Sequence, residues 1–219
     1  MAARISTDGM WRITYGELPG LTLDQLKERQ EMKFEQMLPG NPKPDQYKVV
    51  NFSPYRVHQR LAPRLREGRI MLAADAAHLC NPFGGMGLTS GIVDIGGLYD
   101  CLAGIYTNKA DPDFILEKYH EVRSEKFHKV INPISSGNIV RLFGQDPDKA
   151  GENDEFLKLC KAAETDEKLQ DQFTLAAMAL THDFKQYYKK DERSQEGGSE
   201  ELKAAAGAEV PAVPIGVTD

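Results

Sequence analysis

The residues best suited to chemistry lie within a short stretch: Asp75, then Pro82, Gly84, Gly85 and Gly87. Asp75 ends the apolar run Arg69-Ile70-Met71-Leu72-Ala73-Ala74, which reads as a strand buried on both faces. A carboxylate at the C-terminal tip of such a strand stands where open α/β sheets bind ligands. It only accepts hydrogen bonds at neutral pH, which suits a sugar or ribityl hydroxyl. The glycines allow close backbone approach and unusual dihedrals. The helix predicted behind them, about residues 88–106, offers unpaired N–H groups and positive potential at its start. The pair can hold an anion, or the edge of a heterocycle that gains negative charge on reduction, without a cationic side chain.

Plainer readings stand beside these. Asp75 can cap a turn, and the glycines can form an ordinary loop before a helix. His78 reads as a hydrogen-bonded structural histidine rather than a catalyst. Arg56, His58 and Arg60 alternate along extended chain and so share one face. That face is either solvated or a clamp for an anionic substrate, with Arg56 and His58 as the candidate substrate contacts. No catalytic acid, base or nucleophile is singled out.

The surrounding elements must position these groups. Residues 3–7 and 10–15 read as strands joined by Asp8-Gly9, a two-residue type I′ turn signal. Residues 21–37 read as a helix capped by Thr22 and stopped by Pro39-Gly40-Asn41-Pro42. Residues 47–52 read as a strand. A helix over about 112–130 has Asp111 as its cap and Pro112 at its first position. Asn132-Pro133 breaks or kinks it, and a further helical region spans about 154–188. Beyond Lys189 the low-complexity sequence predicts a disordered tail.

Composition narrows the class. The chain has 219 residues, a formal net charge of −6 and 41% hydrophobic residues, as in ordinary globular protein. The acidic balance argues against a nucleic-acid partner. Cys80, Cys101 and Cys160 are widely spaced with no CxxC, so neither a disulfide framework nor a zinc site is expected. The N-terminus lacks the features of a signal peptide, and no membrane span is expected. A cytoplasmic location is the resulting expectation.

The stretch Ala74-Asp75-Ala76-Ala77-His78, with Pro82, Gly85, Gly87, Leu88 and Thr89 after it, resembles the second FAD motif of the group A flavoprotein monooxygenases. This is the para-hydroxybenzoate hydroxylase-like family, and its motif is written G-D-A-A-H-x-x-x-P-x-x-G-x-G-L/M-N. Trp11 in the first hairpin and the segment Ser53-Pro54-Tyr55-Arg56-Val57-His58-Gln59-Arg60 resemble a fungal-type branch. The resemblance covers about residues 3–190. It implies that Asp75 contacts the ribityl or diphosphate region of FAD and that the backbone of Gly87, Leu88 and Thr89 faces the isoalloxazine. It also implies that the Pro82 carbonyl lies near the reactive carbon. Two positions depart: Ala74 replaces the motif's first glycine and Thr89 its asparagine.

The implied fold class is α+β, a partial para-hydroxybenzoate hydroxylase-like FAD-binding fold with a helical C-terminal region. Its expected parts are a remnant of the substrate-binding sheet (1–60), the C-terminal half of the FAD domain (61–145), a helical region (146–190) and a tail (191–219). The implied activity is FAD-dependent hydroxylation or epoxidation of an aromatic or polyketide-like molecule in secondary metabolism, with NADPH or NADH as reductant. No G-x-G-x-x-G is found in the sequence. The chain alone is therefore expected to bind FAD weakly or not at all, with a partner chain as one supplier of the missing half. The alternative is a flavin-free or catalytically dead remnant that binds a small molecule or a partner.

Overall fold

The computed structural model describes residues 1–189, and the expected disordered tail, 191–219, lies outside the described residues. The described chain divides into two compact units, Met1–Arg56 and the part from Val57 onward.

In the first unit, β1 (Ala2–Arg4) pairs antiparallel with β2 (Trp11–Ile13), with Arg4 opposite Trp11. The expected two-residue turn is corrected to a wider loop: Ile5 N–H donates to the Met10 carbonyl, leaving Ser6 to Gly9 as the connection. Local side chains stabilise the wider form. Arg4 donates to the Ser6 and Thr7 carbonyls, and Ser6 bonds Asp8, so only Gly9, at φ 93°, takes a positive dihedral there. Helix α1 (Leu23–Met37) has the expected cap, a full capping box between Thr22 and Gln25. Phe34 of α1 packs between Tyr15 and Tyr47, edge-on to the first. Residues 47–52 stay extended but form no strand, because no described segment pairs with their backbone.

The second unit is mostly helical. Two two-stranded pieces lie in it, from β3 (Arg60–Leu61), β4 (Arg66–Glu67), β5 (Ile70–Met71) and β6 (His78–Leu79): β3 pairs β6 and β4 pairs β5, both antiparallel. The expected buried strand over 69–74 is thus only the second arm of a tight hairpin. With one short neighbour, its Ile70 is 69% exposed.

Helix α2 (Met86–Tyr106) packs on α3 (Pro112–Lys126), which carries the expected Asp111 cap and Pro112. α4 (Asn132–Phe143) continues α3 after a π-helical turn at Phe127–Ile131. Pro133 has no N–H and clashes with a regular preceding turn. The wider turn absorbs it, and Asn132 N–H donates to Phe127 O, five residues back. After α5 (Ala150–Asn153), the expected single region over 154–188 is instead α6 (Glu155–Ala163), α7 (Glu167–Ala177) and short 3-10 turns. Asp154 and Asp166 each accept two backbone N–H groups and so start new helices.

The core of this unit joins Leu65, Cys101, Ile115, Leu116, Tyr119 and Phe184. Burial pushes the Cys101 thiol up to about 12, with Asp100 adding to the shift. α2 is long and apolar enough to cross a bilayer by length and composition, against expectation. Its inner face, however, is packed in this core and carries a buried acid, Asp94.

Two adjacent glycines of α2 make opposite predictions. A Cβ on Gly97 would lie 2.6 Å from the ring of buried Phe184, whereas one on Gly96 would meet nothing within 4 Å. Gly97→Ala should destabilise the fold by about 1–3 kcal/mol through overpacking. Gly96→Ala should stabilise it by up to ~1 kcal/mol through helix propensity. Urea denaturation of both variants checks the signs.

Candidate functional site

The site is built around a charge that the core should not tolerate alone. Asp94, in the middle of α2, is 0% exposed. Arg123 of α3, 1% exposed, donates from Nε to Asp94 Oδ1 at 2.5 Å and from a terminal nitrogen to the Leu180 carbonyl at 2.6 Å. Asp94 Oδ2 accepts from the Ala74 backbone N–H at 3.0 Å and from His78 Nε2 at 2.8 Å. A carboxylate only accepts, so the hydrogen sits on His78 Nε2. Burial opposes ionisation of Asp94. The His78 bond, the Arg123 charge and the Ala74 N–H outweigh it and hold the carboxyl below its ordinary value of 3.8.

The bond to Ala74 fixes the backbone that presents Asp75. Ala74 has φ 55°, in the left-handed region that favours glycine. This accounts for the motif's preference for glycine there. Ala74 retains the dihedral at a cost of about 1–2 kcal/mol. Its methyl group fits because position 91 is Gly: a Cβ there would lie 2.9 Å from Ala74 Cβ. Asp75 is exposed at the next position.

A second polar knot holds the glycine loop. Buried Asn81 donates from its amide side chain to the Gln59 side chain and to the Ser135 carbonyl at 2.9 Å. Asn81 Oδ1 accepts from Phe83 N–H, and Gln59 donates to Ser135 Oγ. The chain then turns through Gly84 (φ 124°) and Gly85 (φ 67°) into α2. A Cβ on Gly84 would press on Asn138 at 3.0 Å, while Gly85 and Gly87 face open space, with nothing within 4 Å. No side chain caps the start of α2. Its first N–H groups are therefore free to meet a ligand over bare glycine.

The sequence-predicted residues fall as follows. Pro82 is exposed, and its carbonyl closes the turn by accepting from Gly85 N–H at 3.3 Å. Leu88 is 78% exposed. Thr89 folds its hydroxyl back to the Gly85 carbonyl at 3.0 Å, so only its backbone can face a ligand. His78 is the structural histidine anticipated. Arg56 is exposed at the end of the first unit and His58 half-buried at the start of the second. Asp94, Arg123, Asn81 and Gln59 were not anticipated. The available signal was Asp94 itself, an acid amid Val93, Ile95 and a long apolar helix, which demands a buried cation.

A cavity of about 230 Å³ opens beside Asp75, lined by Arg60, Leu61, Ala62, Ala76, Ala77, His78 and Leu79 as well. Ordinary small-molecule pockets run to roughly 300–1,000 Å³, so this one accommodates a linker segment rather than a whole cofactor. Together with the open helix mouth, it suits FAD in chemical type: hydroxyls at Asp75 and a ring edge over Gly85 and Gly87.

Comparison with known proteins agrees. Residues 24–133 match the family described as FAD binding domain. The chain is 36% identical over 175 residues to para-nitrophenol 4-monooxygenase of a Pseudomonas species, covering 80% of this chain and 42% of that protein. It is 40% identical over 150 residues to 6-hydroxy-3-succinoylpyridine 3-monooxygenase HspB of Pseudomonas putida, covering 68% and 37%. The crystal structure of p-nitrophenol 4-monooxygenase PnpA from Pseudomonas putida superposes with a TM-score of 0.68 at 33% identity, over 82% of this chain and 44% of that one. The chain thus spans about two fifths of the length of these relatives.

Two substitutions test the buried knot. Asp94→Asn should cost about 3 kcal/mol or more, because it leaves Arg123 buried without its counter-ion. The lowered Asp94 carboxyl contributes stability fully above about pH 4 and loses it as the pH falls through the depressed folded value. The gap between wild type and Asp94→Asn should therefore narrow in acid, as measured by urea melts at pH 7 and below pH 4. Ala74→Gly should raise stability by about 1 kcal/mol by relieving the left-handed dihedral.

Proposed function

We propose, from the premise that this chain belongs to the FAD binding domain family, that it forms the ribityl and ring side of the flavin site in an FAD-dependent aromatic monooxygenase. The observation that carries this reading is the pairing of two features on one helix. Asp75 is presented by a turn pinned to Asp94 of α2, and the start of the same helix opens over Gly85 and Gly87.

When bound, FAD would supply the redox chemistry, with NADPH or NADH as two-electron reductant, one atom of O2 going to the substrate and the other leaving as water. The protein supplies position and field. Asp75 accepts hydrogen bonds from the ribityl hydroxyls. The free N–H groups at the start of α2, on Met86, Gly87 and Leu88, stabilise negative charge on the ring edge, and the backbone of Thr89 continues the helix behind them. The Pro82 carbonyl borders the face where substrate stands. The named activities of the relatives support a phenol-like or hydroxypyridine-like ring as substrate.

A further observation favours a partner surface. Leu88, Ile92, Ile95, Tyr99, Leu102 and Tyr106 form an apolar stripe along α2, each between 50% and 89% exposed. Such a stripe calls for covering polypeptide, and a chain supplying the adenosine side of the site fits this role.

Gly87→Val tests the flavin reading. Position 87 is helical and a Cβ there meets nothing, so the fold should survive, as far-UV circular dichroism would show. The added methyls fill the space over the helix mouth. FAD affinity, measured by equilibrium dialysis at concentrations high enough for weak binding, should fall at least about tenfold. Unchanged affinity would overturn the placement of the ring.

A further inference from the structure

We infer that Arg60 binds the FAD diphosphate across the cavity from Asp75, an inference that rests on the flavin reading above. Arg60 lies on β3 and Asp75 on the turn before β6, and both line the same cavity. The two walls are held in register. Arg60 stands opposite Leu79, Leu61 opposite His78, and Ala62 N–H donates to the Ala77 carbonyl at 2.8 Å. The separation of the two backbone positions that carry these side chains is therefore fixed.

Among the described arginines of this unit, Arg64, Arg66, Arg123 and Arg141 are each ion-paired to a carboxylate while Arg60 and Arg69 are not, and of these two only Arg60 lines the cavity. Among the described residues Arg60 has no ion-pair or hydrogen-bond partner, and it does not pair with Asp75 across the cavity. A guanidinium left free beside a cavity is a ready bidentate partner for a phosphate. The opposite wall fixes the order of groups along the ligand. Asp75 repels phosphate and accepts from hydroxyls, so a polyol segment lies at Asp75 and the phosphate that follows it lies at Arg60. A volume of about 230 Å³ matches that linker. The ring is left to the open glycine mouth.

The test uses the full chain and three ligands that share the ring and ribityl chain, of which only riboflavin lacks phosphate: FAD, FMN and riboflavin, each titrated into wild type, Arg60→Gln and Arg60→Lys. Arg60 is exposed, so both variants should fold, with circular dichroism as the check. Arg60→Gln should weaken FAD and FMN about tenfold, the loss of a charge-assisted hydrogen bond to a phosphate. Riboflavin affinity should stay unchanged, and Arg60→Lys should retain part of the phosphate preference. If all three ligands weaken by the same factor, or none weakens, the assignment of Arg60 is overturned. If wild type binds none of the three even at millimolar ligand, the Arg60 site does not hold flavin phosphate in this chain and the inference is overturned, while the flavin reading is left to the Gly87→Val test.

Discussion

A single buried carboxylate sets the arrangement of the second unit. Asp94 sits mid-helix with no exposure, and an unpaired charge there would cost several kcal/mol. Its three contacts come from α3 through Arg123, from the residue before Asp75 through Ala74, and from His78. Satisfying the charge therefore fixes three segments at once. Asp94 follows Gly85 by nine residues, which is about 13 Å along a helix axis. The acid-bearing turn and the glycine mouth are thus held at a separation that an extended ligand bridges and a compact one does not.

α2 also reverses the usual amphipathic order. Its buried face holds Ser90, Gly91, Asp94, Gly97, Cys101 and Gly104, flanked by partly buried Val93, Leu98 and Ile105, while Leu88, Ile92, Ile95, Tyr99, Leu102 and Tyr106 are exposed. Small residues on the inner face let Ala74 and Phe184 come close. A helix that is apolar on its outer face and tightly packed on its inner face has the character of a middle layer. The same reversal explains why its composition passes for a membrane span although its inner side carries an ion pair.

Local signals in the sequence translated well into structure. The Thr22 capping box, the Asp111-Pro112 helix start and the glycine turn into α2 depend on neighbours a few residues apart, and each was legible. What depended on distant partners was not. Arg123 lies 29 residues from Asp94 and Ser135 lies 54 from Asn81. The strand expected at 69–74 had the right apolar residues, but a strand needs neighbours, and only Arg66–Glu67 pairs with it among the described residues. The Asp8-Gly9 turn widened because Arg4 and Ser6 side chains satisfy a longer loop. Ala74 is instructive in the other direction. Its departure from the motif reads as a loss in one dimension, yet the left-handed dihedral that glycine would serve is kept.

The most direct measurement is an amide chemical-shift map of the isotope-labelled chain during addition of FAD. The account predicts that the largest changes cluster at Asp75, Gly85, Gly87, Leu88 and Thr89, with the buried knot at Asp94 moving as a block. Changes scattered over the surface, or centred away from the 75–89 segment, would contradict it.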